Sequence, residues 1–172
     1  QCYRNASMAV DVFEKVKDYY FLGNAQLLLA QLFHEINDDD HATEQLSLAK
    51  KSYEQAGYPL NRIYFYQGLL AKTDAEKTKF FGQSINAGGR DWAMTVQAYI
   101  NLGEFVLETG NTQKAITYYN LGKEEIRKFD PKNVFFSSLL SLLQVKILYA
   151  QGKYTEALAV VDGLKAVGPK IK

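Results

Sequence analysis

Apolar residues recur along this chain at spacings of three and four, the period of a helix with one buried face. Val12, Phe13, Val16, Tyr19 and Tyr20 illustrate the spacing, and no long segment alternates strictly as a half-buried strand does. The pattern is interrupted at eight places that contain glycine, proline, asparagine or aspartate, around residues 20–24, 36–40, 55–59, 71–75, 86–91, 108–112, 128–132 and 150–154. The sequence therefore predicts an all-α protein of nine helices.

The spacing of the interruptions predicts that the helices form antiparallel pairs. Pro59, Pro131 and Pro169 each follow a predicted helix, where a missing N–H costs nothing and the helix cannot continue. Pairs in series indicate an internal repeat. We therefore predict one helical repeat domain over residues 1–172, with a single helix in 1–22 followed by pairs in 24–56, 60–86, 91–129 and 134–169.

The second helices of three pairs share a pattern. Each has a small residue, a large one four positions later, and a small or aliphatic one three positions after that: Ala42, Leu46, Ala49; Ala115, Tyr119, Gly122; Ala157, Val161, Leu164. A helix pair cannot bury all its apolar faces alone, so stacked pairs need small residues where backbones approach and large ones where gaps must be filled. The pattern favours stacked helix pairs.

Residues 99–122, YINLGEFVLETGNTQKAITYYNLG, resemble the tetratricopeptide repeat (TPR). Leu102 and Gly103 look like the Leu-Gly pair of that family, Gly110 its turn glycine, Ala115 its close-packing alanine and Tyr119 the large residue of its second helix. The resemblance implies a right-handed α-α superhelix, or solenoid, of about four TPR-like pairs plus an N-terminal helix.

The chain departs from the family at several positions. Tyr99 stands in place of the tryptophan, Val106 in place of the first-helix tyrosine, and Gly122 in place of the second alanine. The distance from Ala115 to Ala157 is also 42 residues, against about 34 in the family. A different array of helix pairs is the alternative.

The first 22 residues resemble half of a repeat. Ala9, Phe13 and Val16 follow the second-helix pattern without a first helix before them. We therefore expect the chain to be part of a longer protein. An end helix left exposed in this way would also allow dimer formation.

Composition narrows the classes of partner. The chain has 172 residues, a net charge of +1 and 47% hydrophobic residues, a balance typical of a folded domain with no broad attraction to nucleic acid or anionic lipid. No run of 18 apolar residues occurs, so we expect no membrane insertion. The single cysteine, Cys2, leaves the compartment open. The expected partner is a protein or peptide, with no nucleic acid and no cofactor.

The stretch HEINDDDH, residues 34–41, contains both histidines and four carboxylates. A helical H-E-x-x-H zinc site has its histidines four residues apart, and a calcium loop needs alternating oxygen ligands around a glycine. We interpret the stretch as a turn instead. Glu35 closes a helix, Asn37 adopts a left-handed backbone, and the aspartates cap the next helix. No metal site is expected.

Neither a phosphate loop nor a nucleophile motif is predicted elsewhere in the chain. NAGGRDW, residues 86–92, has glycines before a helix and Arg90 beside them, but it joins two helices and lacks the phosphate-loop signatures. We interpret it as a helix stop with Asp91 as the next cap. No G-x-S-x-G nucleophile motif occurs. We therefore predict no enzymatic activity and no catalytic residue.

The TPR resemblance implies where a partner would bind, because the first helix of each pair lines the concave face in that family. Carried over by position, this first-helix face consists of Asn24, Leu27, Gln31, His34, Arg62, Phe65, Leu69, Lys72, Gln97, Ile100, Glu104, Leu107, Leu139, Leu142, Lys146 and Tyr149. The lysine and asparagine clamp of the subfamily that binds acidic chaperone tails is absent, since the matching positions hold Leu27 with Gln31 and Ile100 with Glu104.

Two functions follow as expectations. The first is a non-catalytic scaffold that binds a protein or peptide on the concave face of a TPR-like solenoid. The second is the ligand-sensing or regulatory input domain of a larger signalling protein or transcription regulator, in which binding changes the curvature of the solenoid. A DNA-binding, kinase or membrane segment elsewhere in the full protein would favour the second.

Overall fold

A computed structural model describes residues 1–87 and 91–167 of the chain. In these residues the backbone forms nine helices of 10 to 18 residues and no strand, which confirms the all-α prediction. The helices are α1 Cys2–Val16, α2 Tyr19–Glu35, α3 Asp39–Gln55, α4 Asn61–Leu70, α5 Asp74–Asn86, α6 Trp92–Glu108, α7 Thr112–Phe129, α8 Val134–Ala150 and α9 Tyr154–Val167.

The chain divides into two compact units. Unit 1 is Gln1–Gly89 and contains α1 to α5, and unit 2 is Arg90–Lys172 and contains α6 to α9. The prediction of a single repeat domain over residues 1–172 stays a prediction.

Consecutive helices pack as pairs within each unit. In unit 1, α2 packs on α3 and α4 on α5, while α1 lies against α2 and α3 against α4. In unit 2, α6 packs on α7 and α8 on α9. The first helices of neighbouring pairs also touch, α2 with α4 and α6 with α8. The first-helix residues of one unit are therefore brought side by side.

The first helix boundary differs from the prediction. Residues 20–24 were expected to interrupt the helix, yet α1 ends at Val16 and α2 begins at Tyr19. Lys17 takes a left-handed backbone with φ 57°, and the Asp18 side chain caps α2 by accepting a hydrogen bond from the Phe21 N–H at 3.2 Å. The capping aspartate, and not the later glycine, sets the boundary.

Gly23 was mistaken for a helix stop because its role is tertiary. It lies inside α2, where an added Cβ would come within 2.4 Å of Cδ1 of Tyr53. Tyr53 on α3 is fully buried. The missing side chain at Gly23 is what lets the tyrosine ring lie against the backbone of α2.

Small residues mark the closest packing in both units. Ala42, Ala49 and Ala115 are fully buried, as the repeat pattern predicts. In unit 2, a Cβ at Gly103 would come within 2.6 Å of a methyl group of Leu143, a core residue of α8. At these positions the helices pack so closely that only a small side chain fits.

The fit at Gly23 predicts opposite effects for two glycine-to-alanine changes. Gly23→Ala should lower the free energy of unfolding, because overpacking costs about 1–3 kcal/mol and exceeds the helix-propensity gain of about 1 kcal/mol. Gly82→Ala in α5 is the matched control, since nothing lies within 4 Å of its added Cβ, and it should be neutral or stabilising. Urea unfolding followed by circular dichroism measures both, and a Gly23→Ala protein as stable as the control would contradict the close approach.

Candidate functional site

The first-helix face of unit 1 is held together by a polar contact between α2 and α4. The side-chain oxygen of Asn24 accepts two hydrogen bonds, from the Tyr53 hydroxyl at 2.9 Å and from Nη1 of Arg62 at 3.1 Å. Its amide nitrogen donates to the Tyr20 carbonyl at 2.9 Å. Burial raises the pKa of Tyr53, and the charge of Arg62 partly opposes that rise. Asn24 is therefore a structural contact whose polar groups are occupied.

A second polar contact links the same two helices. Gln31 donates to the Tyr66 hydroxyl at 2.6 Å, and burial raises the pKa of Tyr66. His34 does not join this contact, because its Nδ1 lies 3.1 Å from Oδ1 of Asp39 on α3. Tyr53 and Tyr66 were not among the predicted site residues. Their sequence positions carry no signal for these bonds, which arise only when the helices pack.

Three residues of the predicted first-helix face belong to the core. Leu27 is 1% exposed, Phe65 4% and Ile100 9%. Their apolar side chains pack between helices, which favours a core role for these residues. Their assignment as partner-binding residues stays a prediction. The family positions carried over from sequence do not distinguish a lining side chain from a packed one.

The first-helix face of unit 2 combines an ion pair with exposed apolar groups. Nζ of Lys146 on α8 lies 2.6 Å from Oε1 of Glu104 on α6. On the same face of α8, Leu142 is 48% exposed and Tyr149 67%. Residues four and three positions apart on a helix are neighbours on its surface, so Lys146 lies between the two apolar groups.

The other predicted residues of the first-helix face are either partly buried or exposed. Leu107 and Leu139 pack, partly buried, against the core of unit 2, and Gln97 and Leu69 are also partly buried. Lys72 is exposed. It lines a cavity of about 760 Å³ among α3, α4 and α5 that contains side chains of both charges, such as Lys50 and Glu76.

The stretch HEINDDDH forms the turn that the sequence predicts. α2 ends at Glu35, Asn37 has φ 61°, and Asp38 caps α3 by accepting from the His41 N–H at 3.3 Å. Nδ1 of His41 also lies 2.8 Å from Oδ2 of Asp38. The two histidines thus have separate carboxylate partners. Within residues 1–87 and 91–167, no three His, Cys, Asp or Glu side chains are grouped so as to hold a metal ion.

The expected cap at Asp91 is confirmed, since its side chain accepts from the Met94 N–H at 3.3 Å. Gly88, Gly89 and Arg90 of the same stretch lie outside the described residues. At the start of unit 1, α1 leaves Met8, Val12 and Val16 exposed. Dimer formation through this helix stays a prediction.

No protein-family model, curated protein or solved structure matches the chain. The TPR resemblance is thus carried by the residues of this sequence alone. Among the helices of the described part of the chain, none is long and apolar enough to cross a membrane.

The contact between Asp38 and His41 predicts a measurable shift of both pKa values. The hydrogen bond and charge of Asp38 raise the pKa of His41, and the same bond lowers the pKa of Asp38. The raised histidine pKa stabilises the fold below about pH 6.5, and this effect is lost as the pH rises through the folded-state pKa. The lowered aspartate pKa stabilises it above about pH 3.9, and that effect is lost on acidification. The two shifts report the same Asp38–His41 interaction, which is complete between these two pH values.

An NMR titration of the His41 ring tests this prediction. Its midpoint should lie above that of an ordinary histidine, and Asp38→Asn should lower it, because asparagine keeps the helix cap but removes the charge. Asp39→Asn is the control, since Asp39 is not a cause of the His41 shift. A midpoint that Asp38→Asn leaves unchanged would refute the pairing.

Proposed function

We propose that the chain is a non-catalytic module that binds a protein or peptide, built as a TPR-like right-handed α-α superhelix. The first-helix face supplies the binding surface. Support for the TPR-like arrangement comes from the four consecutive helix pairs, the contacts between neighbouring first helices, and the buried small residues at Ala42, Gly103 and Ala115.

The observation that carries the proposed binding role is the pair of exposed apolar groups on α8. Leu142 and Tyr149 are seven positions apart, two helical turns, and therefore point to the same side. Leucine and tyrosine side chains exposed in this way provide apolar anchors, and tyrosine is enriched among the residues that dominate binding energy. Lys146 and Glu104 between them supply a polar contact that fixes orientation.

The chemistry of this face favours a mixed or apolar segment over a strongly acidic one. Glu104 would repel a carboxylate, and its partner Lys146 is already neutralised by the 2.6 Å ion pair. An amphipathic helix or an extended segment with apolar anchors fits better, because it buries Leu142 and Tyr149 and leaves charges at the rim.

A paired set of double variants tests the proposal. Leu142→Asp/Tyr149→Asp places two charges on the first-helix face, and Leu121→Asp/Leu158→Asp places two charges at other exposed leucines of unit 2. All four side chains are exposed, so both proteins should fold, which circular dichroism checks. Each immobilised protein and the parent are exposed to a lysate of the source organism, and retained proteins are quantified by mass spectrometry.

We expect at least one protein to be retained by the parent and by the control, and to fall by about tenfold or more with the first-helix variant. Tenfold corresponds to about 1.4 kcal/mol, less than the loss of one strong anchor. Equal retention by the two double variants, or no retention by the parent, would argue against binding on this face.

A further inference from the structure

Two cavities lie beside α8 in unit 2. The α8–α9 cavity measures about 350 Å³ and has an apolar wall that includes Val160 and Leu164. The α7–α8 cavity measures about 260 Å³ and has an apolar wall that includes Ile126 and Leu140. A dry cavity of about 150 Å³ can hold a benzene molecule, so each can take a branched or aromatic side chain.

A low ridge separates the cavities. Pro131, Ser137 and Ser141 line both of them, and the serines lie one turn apart on α8. The Ser141 hydroxyl donates to the Ser137 carbonyl at 2.9 Å. In the described part of the chain, the hydroxyls of Ser137 and Ser138 have no hydrogen-bond partner. They are available to a backbone that crosses α8 at the ridge.

The closeness of the two cavities suits an extended chain. Three residues line both of them, so the cavities adjoin on the same side of α8. An extended strand places side chains i and i+2 about 7 Å apart on one side, and a polyproline II chain places i and i+3 about 9 Å apart. Two apolar side chains two or three positions apart can therefore enter both cavities.

The charged side chains that line the cavities are all basic. Lys123 and Arg127 line the α7–α8 cavity and Lys132 lines the α8–α9 cavity, whereas no carboxylate is found among the described residues that line either one. Arg127 is paired with Glu124 at 2.6 Å. Lys123 and Lys132 form no ion pair within the described residues of unit 2.

Glu124 and Glu125 follow Lys123 in sequence, and Asp130 lies two positions before Lys132. None of these three carboxylates lines either cavity. The charged side chains that a ligand in the cavities meets directly are therefore basic. An acidic ligand would be attracted and a basic one repelled.

We infer that this α8 groove binds an extended peptide segment with two apolar side chains two or three positions apart and acidic residues beside them. The apolar side chains enter the two cavities, the peptide carbonyls accept hydrogen bonds from Ser137 and Ser138, and the acidic residues face Lys123 and Lys132. At 3.6 residues per turn, Ser137 and Ser141 lie on nearly the opposite side of α8 from Leu139 and Lys146, whereas Ser138 lies on the same side as Leu142 and Tyr149. The groove therefore borders the proposed first-helix face at Ser138 and extends away from it towards α7.

The probe is a random-peptide phage library selected on the immobilised full chain, followed by fluorescence anisotropy with the enriched peptides. We expect enriched peptides to carry the apolar spacing and the acidic residues. Lys123→Glu/Lys132→Glu should weaken their binding by about tenfold or more, and Lys114→Glu/Lys153→Glu is the matched control. The control changes the net charge equally at two exposed lysines that line neither cavity, and its binding should stay within about twofold of the parent.

A second variant tests the cavity without changing charge. Gly163 lines the α8–α9 cavity, and nothing lies within 4 Å of an added Cβ. Gly163→Leu should fill the cavity and weaken binding, whereas Gly82→Leu in α5, also an open helix position, should not. Selection of no peptide above a blank support, or of peptides without acidic residues, overturns the inference. Some peptides could fail to bind Leu142→Asp/Tyr149→Asp and still bind Lys123→Glu/Lys132→Glu. Such peptides would bind the first-helix face, and this result would also overturn the inference.

Discussion

Close approach between paired helices is the constraint on which the rest of this structure depends. Large side chains lie directly on glycine backbones in two pairs of unit 1, Tyr53 on Gly23 and Phe81 on Gly68, where an added Cβ would come within 2.4 and 2.8 Å of the rings. A ring in this position fills the space between two helices without a void. The fully buried Tyr53 then places its hydroxyl at the edge of the pair, within reach of Asn24.

The polar residues of the first-helix face follow from that packing. Once Tyr53 and Arg62 approach Asn24, its side-chain oxygen satisfies both donors, and an unpaired donor in such a partly buried place would cost about 1–3 kcal/mol. Glu104 and Lys146 link α6 and α8 in unit 2 across a more exposed surface, where an ion pair contributes about 0–1 kcal/mol. The first contact is therefore a structural link, and the second leaves more freedom for a partner.

The helices and their caps could be predicted from residues that are close in sequence. Most of the features that could not be predicted depend on contacts between residues that are far apart in sequence. Asp38, Asp91 and Asn37 act through their own backbone and neighbours three residues away, so their roles were predicted from sequence. Gly23 looked like a stop because the ring that needs it is 30 positions away.

The division of the predicted face into core and surface has the same origin. Leu27, Phe65 and Ile100 occupy positions that line a groove in the resembling family. Whether such a side chain is buried depends on how neighbouring helices pack, and the residue pattern of one helix carries no information on that packing. The cavities beside α8 could not be predicted either, since they form between helices. In the sequence, Ser137, Ser138 and Ser141 only interrupt an otherwise apolar helix, which does not by itself indicate a cavity.

The composition of α8 connects the two proposed sites. A helix that is apolar on nearly all sides is normally buried, and α8 does bury Leu140, Leu143 and Ile147 along one side. Its remaining apolar side chains exceed what this core requires, because Leu142 and Tyr149 stay exposed. This surplus apolar surface, on a helix that already packs against α6, α7 and α9, is what the proposed partner would cover. The short side chains of the serines on α8 let a peptide backbone come close to this helix and form hydrogen bonds with it. A leucine at the same positions would hold the backbone away.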